Sequence, residues 1–127
     1  MRFRTQVWVG FTAFAVFLLS ASPAWAGLNI VTTTTDLEDF AKAIGGDRVS
    51  VDTIVTGAQD PHYGQARPSY MVKLSRADLL LSVGLELEVG WLPSLVTGAR
   101  NPRISPGRRG YFEGGSVIKP LNPVHGH

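Results

Sequence analysis

The sequence predicts an α/β fold, a small parallel sheet flanked by helices. Three observations lead there. Apolar or β-branched runs at 28–33, 48–55 and 79–83 alternate with helix-period stretches at 37–44, 70–77 and 89–96. The third run, Leu79-Leu80-Leu81-Ser82-Val83, is almost continuously apolar, as suits a parallel strand covered on both faces. The order β-α-β-α-β-α with short connections gives right-handed crossovers, which put helices on both sides of one sheet.

The chain begins with an address. Arg2 and Arg4 precede an uncharged apolar run from Val7 to Leu19, and Ala24-Trp25-Ala26 is a small-x-small cleavage site. That is the layout of a secretory signal peptide over residues 1–26, with Gly27 as the first mature residue. The run is too short to span a bilayer, which takes about 20 residues. Six of the twelve aromatic residues fall in this segment, so whole-chain hydropathy overstates the mature core. There is no cysteine, which excludes disulfides, thiolate metal sites, a cysteine nucleophile and an N-terminal lipid-modified cysteine. An exported, cysteine-free chain suits the periplasm.

The 127-residue chain has a formal charge of +2, and the two arginines of the leader account for it. The remainder is uneven: residues 27–99 are acidic and residues 100–127 basic. Arg100, Arg103, Arg108 and Arg109 are interleaved with glycine and proline and carry no aromatic stacking pattern. A solvated loop is expected there, with no nucleic-acid partner.

Each element has its own warrant. Leu28 to Thr33 forms the first strand. Thr35 and Asp36 offer N-cap oxygens, and Thr35 with Glu38 has capping-box spacing. Leu37, Phe40, Ala41 and Ile44 mark one apolar helix face, and Gly45-Gly46 ends it. Arg48 to Val55 is the second strand. After the loop through Asp60-Pro61-His62, Pro68 or Ser69 opens a second helix with Tyr70, Met71, Leu74 and Ala77 on its apolar face. Leu79 to Val83 is the third strand and Gly84 ends it. Val89, Leu92, Leu95 and Val96 mark a third helix, with Trp91 beside that face and Pro93 in its first turn. Ser116-Val117-Ile118 is expected as one more short strand, and the chain is irregular from about residue 119. A single lobe over 27–127 follows.

The strand ends would bring the Thr32–Asp36 turn, the His62 loop and the Gly84–Glu88 turn to one edge of the sheet, where open α/β sheets collect ligands. His62 is the only histidine before residue 125, and imidazole is the commonest side-chain metal ligand. Pro61 fixes its own φ and drives Asp60 to an extended conformation, stiffening the approach to His62. An ordinary exposed loop histidine is the competing reading. Glu86 and Glu88 at the same edge read as solvent-facing acids alternating with Leu85, Leu87 and Val89, against a reading as paired acid/base groups. No nucleophile triad, Walker loop or dinucleotide-binding glycine motif is present.

Taken together, Asp60-Pro61-His62, Pro68-Ser69, Leu74-Ser75-Arg76-Ala77-Asp78-Leu79, Gly84-Leu85-Glu86-Leu87-Glu88 and Trp91-Leu92-Pro93 resemble the zinc/manganese periplasmic solute-binding proteins. These are the metal-capturing subunits of ABC transporters, the cluster 9 or cluster A-I family. Gly107 to Tyr111 also resembles the family's segment ahead of its fourth strand. The resemblance runs from about Leu28 to Ile118. It implies the N-terminal lobe of a bilobal metal-binding protein, part of a longer chain, with the metal held between lobes. It makes His62 the first ligand of a Zn2+ or Mn2+ cargo. Remaining ligands would come mostly from beyond this sequence. His125 and His127 are weak contributors at most, since a terminal His-Gly-His binds metal without specificity.

The expected function is therefore metal capture for a membrane permease, by a periplasmic monomer that does not insert in the membrane once its signal is cleaved, and that is not an enzyme. Zinc is preferred over manganese because of the terminal histidines and the type of the Gly84-Leu85-Glu86-Leu87-Glu88 segment. Two alternatives carry the same residues differently. One is an adhesion or interaction module of the same fold. The other is a secreted metal-dependent hydrolase, with Glu86 or Glu88 as base to a metal held by His62.

Overall fold

The computed structural model describes residues 27–57 and 59–121. Four strands form one sheet: β1 (Leu28–Thr32), β2 (Val49–Thr53), β3 (Leu79–Ser82) and β4 (Tyr111–Glu113). Their order is β2-β1-β3-β4 and every pairing is parallel, as the alternating pattern predicts. Three helices connect them: α1 (Thr35–Gly45), α2 (Pro68–Ser75) and α3 (Leu92–Ala99).

Register decides which side chains share a face. Ile30 lies beside Val51 and Leu79, and Val31 beside Asp52 and Leu80. α1 packs over β1 and β2 on the Ile30 face: Thr53 Oγ1 donates to Glu38 Oε2 at 2.5 Å. α2 and α3 pack against each other over the opposite face. Val31, Leu74, Ala77, Leu80, Leu92, Leu95 and Ile104 close the core there, and Leu80 has no exposed surface. Burying such a leucine contributes about 1.5–3 kcal/mol. Asn101, itself buried, donates from Nδ2 to the carbonyls of Leu74 and Ala77 at 2.9 and 2.8 Å, tying the chain at the end of α2 to the segment after α3.

Several expectations shift. The capping box at Thr35 does not form. Thr34 is the N-cap residue and makes no side-chain cap, while the Glu38 carboxylate turns away to Thr53 and Lys42. Those two bonds, Lys42 first, hold the Glu38 carboxyl below its usual range. Phe40 and Ile44 are 65% and 82% exposed, so only Ala41 of the expected α1 face is fully buried. α1 sits over β1 and β2, and its outer apolar residues overhang that pair. α3 starts at Leu92, and Val89 is exposed in the preceding turn while Trp91 enters the core. The fourth strand is Tyr111–Glu113, directly after the Gly107–Gly110 turn. Ser116 and Val117 lie in a short 3-10 turn, Gly114–Val117, and Ile118 follows it. The 3-10 turn that begins at Gly114 ends β4, and the Gly115 N–H donates to the Val83 carbonyl at 2.7 Å.

The leader at 1–26 and the terminal His125 and His127 lie outside the described residues. Among the described residues no helix is long and apolar enough to cross a membrane.

Candidate functional site

The C-terminal edge of the sheet collects three loops, as the strand pattern predicts. The first leaves β1 through Thr33 and Thr34. The second leaves β2 and runs through a 3-10 turn, Pro61–Tyr63. The third leaves β3 at Val83-Gly84 and turns through Leu85 to Gly90 before α3.

His62 sits in the second loop with its ring exposed. Asp60 is extended at φ −71 and ψ 119, as a residue before proline should be. Its Oδ1 accepts twice from His62, from the backbone N–H at 3.0 Å and from ring Nδ1 at 2.8 Å. The backbone bond first, then the ring bond, holds the Asp60 carboxyl below its ordinary value. Asp60 is therefore a carboxylate at neutral pH and can only accept. Nδ1 therefore carries a hydrogen toward Asp60, and in the neutral ring Nε2 is the nitrogen with the lone pair. An imidazole oriented through its other nitrogen by a carboxylate is the arrangement metal sites use. An Asx turn, in which a side-chain oxygen takes the N–H two residues on, is the signal in Asp60-Pro61-His62 that the sequence reading did not use.

Glu88 is the residue whose placement departs most from expectation. It is 3% exposed, where the alternation with leucines predicts a solvent-facing acid. Oε1 accepts from Thr33 Oγ1 at 2.5 Å and from the Val83 N–H at 2.8 Å, and Oε2 accepts from the Gly84 N–H at 2.9 Å. Three donors thus replace the water a buried carboxylate would lose. The turn that carries it inward places Gly84, Leu85 and Glu86 at positive φ. Glycine takes that region freely, whereas a leucine there is uncommon. A Cβ at Gly84 would also lie against the Glu113 side chain. Glu86 is exposed, as expected, and makes no pair with Glu88.

Trp91 links this turn to the histidine loop. Its indole Nε1 donates to the Pro61 carbonyl at 2.7 Å, while its ring is 3% exposed. Gly64 lies under the ring: a Cβ there would fall 2.6 Å from the indole nitrogen. Neither this bond nor the burial of Glu88 was visible in the sequence, where Trp91 reads only as a residue flanking a helix face.

The arrangement can offer one imidazole nitrogen, held in one tautomer, at the rim of the sheet. Asp60 also lines a shallow cavity of about 230 Å³ with Ile54, Val55, Tyr63, Arg67 and Tyr70, which the His62 ring does not enter. Among the described residues no three His, Asp or Glu side chains gather to hold a metal ion.

Comparison with known proteins places this geometry. Residues 30–115 match the family model described as zinc-uptake complex component A, periplasmic. The chain is 35% identical over 95 residues to the manganese ABC transporter substrate-binding lipoprotein scaA of Streptococcus gordonii, covering 72% of this chain and 31% of that protein. It is 40% identical over 75 residues to the manganese ABC transporter substrate-binding lipoprotein PsaA of Streptococcus pneumoniae, covering 57% and 24%. The periplasmic zinc binding protein TroA from Treponema pallidum superimposes with a TM-score of 0.55 at 27% identity, over 61% of this chain and 27% of that one. The chain thus spans less than a third of the length of these proteins. With a family match that runs from within β1 through β4 and takes in all three helices and the His62 loop, the chain belongs to the zinc-uptake complex component A family of periplasmic proteins.

Proposed function

We propose that this chain serves a metal ABC uptake system as its periplasmic solute-binding component, with His62 as a donor to a divalent cation passed on to a membrane permease and its ATPase. The observation that carries the reading is the Asp60–His62 pair, which engages Nδ1 and leaves Nε2 as the donor nitrogen of an exposed ring at the C-terminal edge of the sheet. The named relatives, described as manganese or zinc binding, support the class of cargo. Zinc is the proposed preference, because imidazole suits zinc while manganese favours carboxylate and water. Residues 1–26 would deliver the chain to the periplasm as a monomer, free of the membrane after cleavage, and nucleic acid has no place in this role.

Hydrolysis is the less favoured use of the same residues. Glu88 is 3% exposed and spends both oxygens on Thr33, Val83 and Gly84, which disfavours it as a base to a water at the exposed His62.

A zinc cage takes four ligands in most proteins, and this chain supplies one assigned donor. Isothermal titration should therefore give zinc binding that is micromolar or poorer for this chain. Removing residues 125–127 should weaken it further, with an effect equal to or greater than that of His62→Ala. In a longer relative bearing the same loop, the order should reverse, because the remaining donors are held in place. Unchanged zinc affinity in that His62→Ala variant would remove His62 from the site.

A further inference from the structure

We infer that Trp91 is the positioning residue of the His62 donor, an inference that rests on the metal reading of His62. The loop itself is exposed: Tyr63 keeps 82% of its surface, and Gln59, Asp60 and His62 are open to solvent. Its internal bonds are all local. The Asp60 side chain accepts from His62, and the Tyr63 N–H donates to the Asp60 carbonyl at 3.0 Å. These bonds shape the turn but do not fix it to the sheet. Among the described residues, the one hydrogen bond joining residues 59–64 to the rest of the molecule is Trp91 Nε1 to the Pro61 carbonyl, 2.7 Å long.

The far end of that bond is rigid. The indole is buried with Val31, Leu80 and Leu92, so its N–H cannot swing away without opening the core. The Trp91 N–H donates to the Glu88 carbonyl at 3.2 Å, and the Glu88 carboxylate grips Val83 and Gly84 at the end of β3 and Thr33 at the end of β1. His62 is thereby registered to two strands through Pro61, Trp91 and Glu88. Gly64 lets the loop lie flat on the ring, where a Cβ would collide with the indole. A donor held this way loses less freedom when a metal arrives, which is how a fixed first ligand contributes to affinity.

A tryptophan that merely filled the core would do as well without its N–H. Trp91→Phe separates the two, because phenylalanine keeps an aromatic ring and removes the donor. The readout is the backbone ¹⁵N relaxation of His62 and Tyr63 in the metal-free full chain, with the amide protection of Leu80 as the measure of an intact fold. In the wild type both residues should be as ordered as the strands. In Trp91→Phe their order parameters should fall below about 0.6, the flexible range, with Leu80 still protected. Gly64→Ala, which pushes the loop off an intact indole, should give the same fall. Wild-type order in both variants overturns the inference. Zinc chloride added to the wild type tests the donor reading separately. A His62 Nε2 resonance that does not move with zinc overturns that reading, and Trp91 then positions a loop without a metal role.

Discussion

Thr33 and Glu88 stand 55 positions apart in the chain, yet the threonine hydroxyl donates to the glutamate carboxylate at 2.5 Å in the interior of the protein. The same carboxylate holds the backbone of Val83 and Gly84. It is a buried charge stitched to the ends of two neighbouring strands, and it fixes the turn from which the chain enters α3. Removing it strands three donors. Glu88→Ala should lower stability by about 2–4 kcal/mol in urea unfolding, within the range for buried partners left unpaired. Glu88→Gln should also cost about 1–3 kcal/mol, since its NH2 group must face a backbone N–H or the threonine. A loss under about 0.5 kcal/mol in both would mean that water replaces the carboxylate, and that the turn is not held as described.

The two faces of the sheet should respond unequally to truncation. Leu80 is wholly buried between β1, β4 and the helices, and Leu80→Ala should cost about 2–5 kcal/mol. Phe40, 65% exposed on α1, should cost less than about 0.5 kcal/mol on the same change. Paired chemical-denaturation midpoints check both. A large loss at Phe40 would mean that the outer side of α1 is covered in solution.

Acid should loosen the histidine loop before it unfolds the sheet. The Asp60 carboxyl is held below its ordinary value by the backbone and ring N–H groups of His62. A depressed folded pKa contributes stability above the unfolded value, near 3.9, and that contribution is lost as pH falls through the folded value. The loop should therefore keep its Asp60 turn throughout the neutral range and release it below about pH 4. Monitoring the Asp60 and His62 resonances against pH reads this directly. Loss of the turn at pH 5 or above would contradict the depressed value.

The leader makes a chemical prediction. Mass spectrometry of exported chain should find Gly27 at the N-terminus, because Ala24-Trp25-Ala26 follows an apolar run of signal-peptide length. Retention of residues 1–26 in mature protein would refute it.

Much of the fold was legible because its signals are local. The β-branched runs at Ile30-Val31-Thr32 and Val49-Ser50-Val51, and the leucine run at 79–81, need no distant partner to be recognised as strands. Their alternation with helices then dictates a parallel sheet and puts His62 at its edge. The misreadings have a common physical origin in long-range or unusual backbone geometry. Glu88 looks solvent-facing because Leu85 to Val89 alternates as a surface strand would. The chain there is a coil that passes through positive φ at Leu85 and Glu86 and turns Glu88 inward to donors on other strands. The indole of Trp91 binds a backbone carbonyl, which leaves no mark on residue identity. β4 is only three residues long and gains its pairing from β3, so propensity alone placed the strand a few residues too late.

The central claim is that His62 offers Nε2 to a metal while Asp60 holds Nδ1. Zinc titration of ¹⁵N-histidine-labelled chain, followed at the ring nitrogens, tests it most directly. The account predicts that zinc moves the His62 Nε2 resonance while Nδ1 keeps its hydrogen and its bond to Asp60. A titration in which His125 and His127 alone respond, with both His62 nitrogens unmoved, would contradict it.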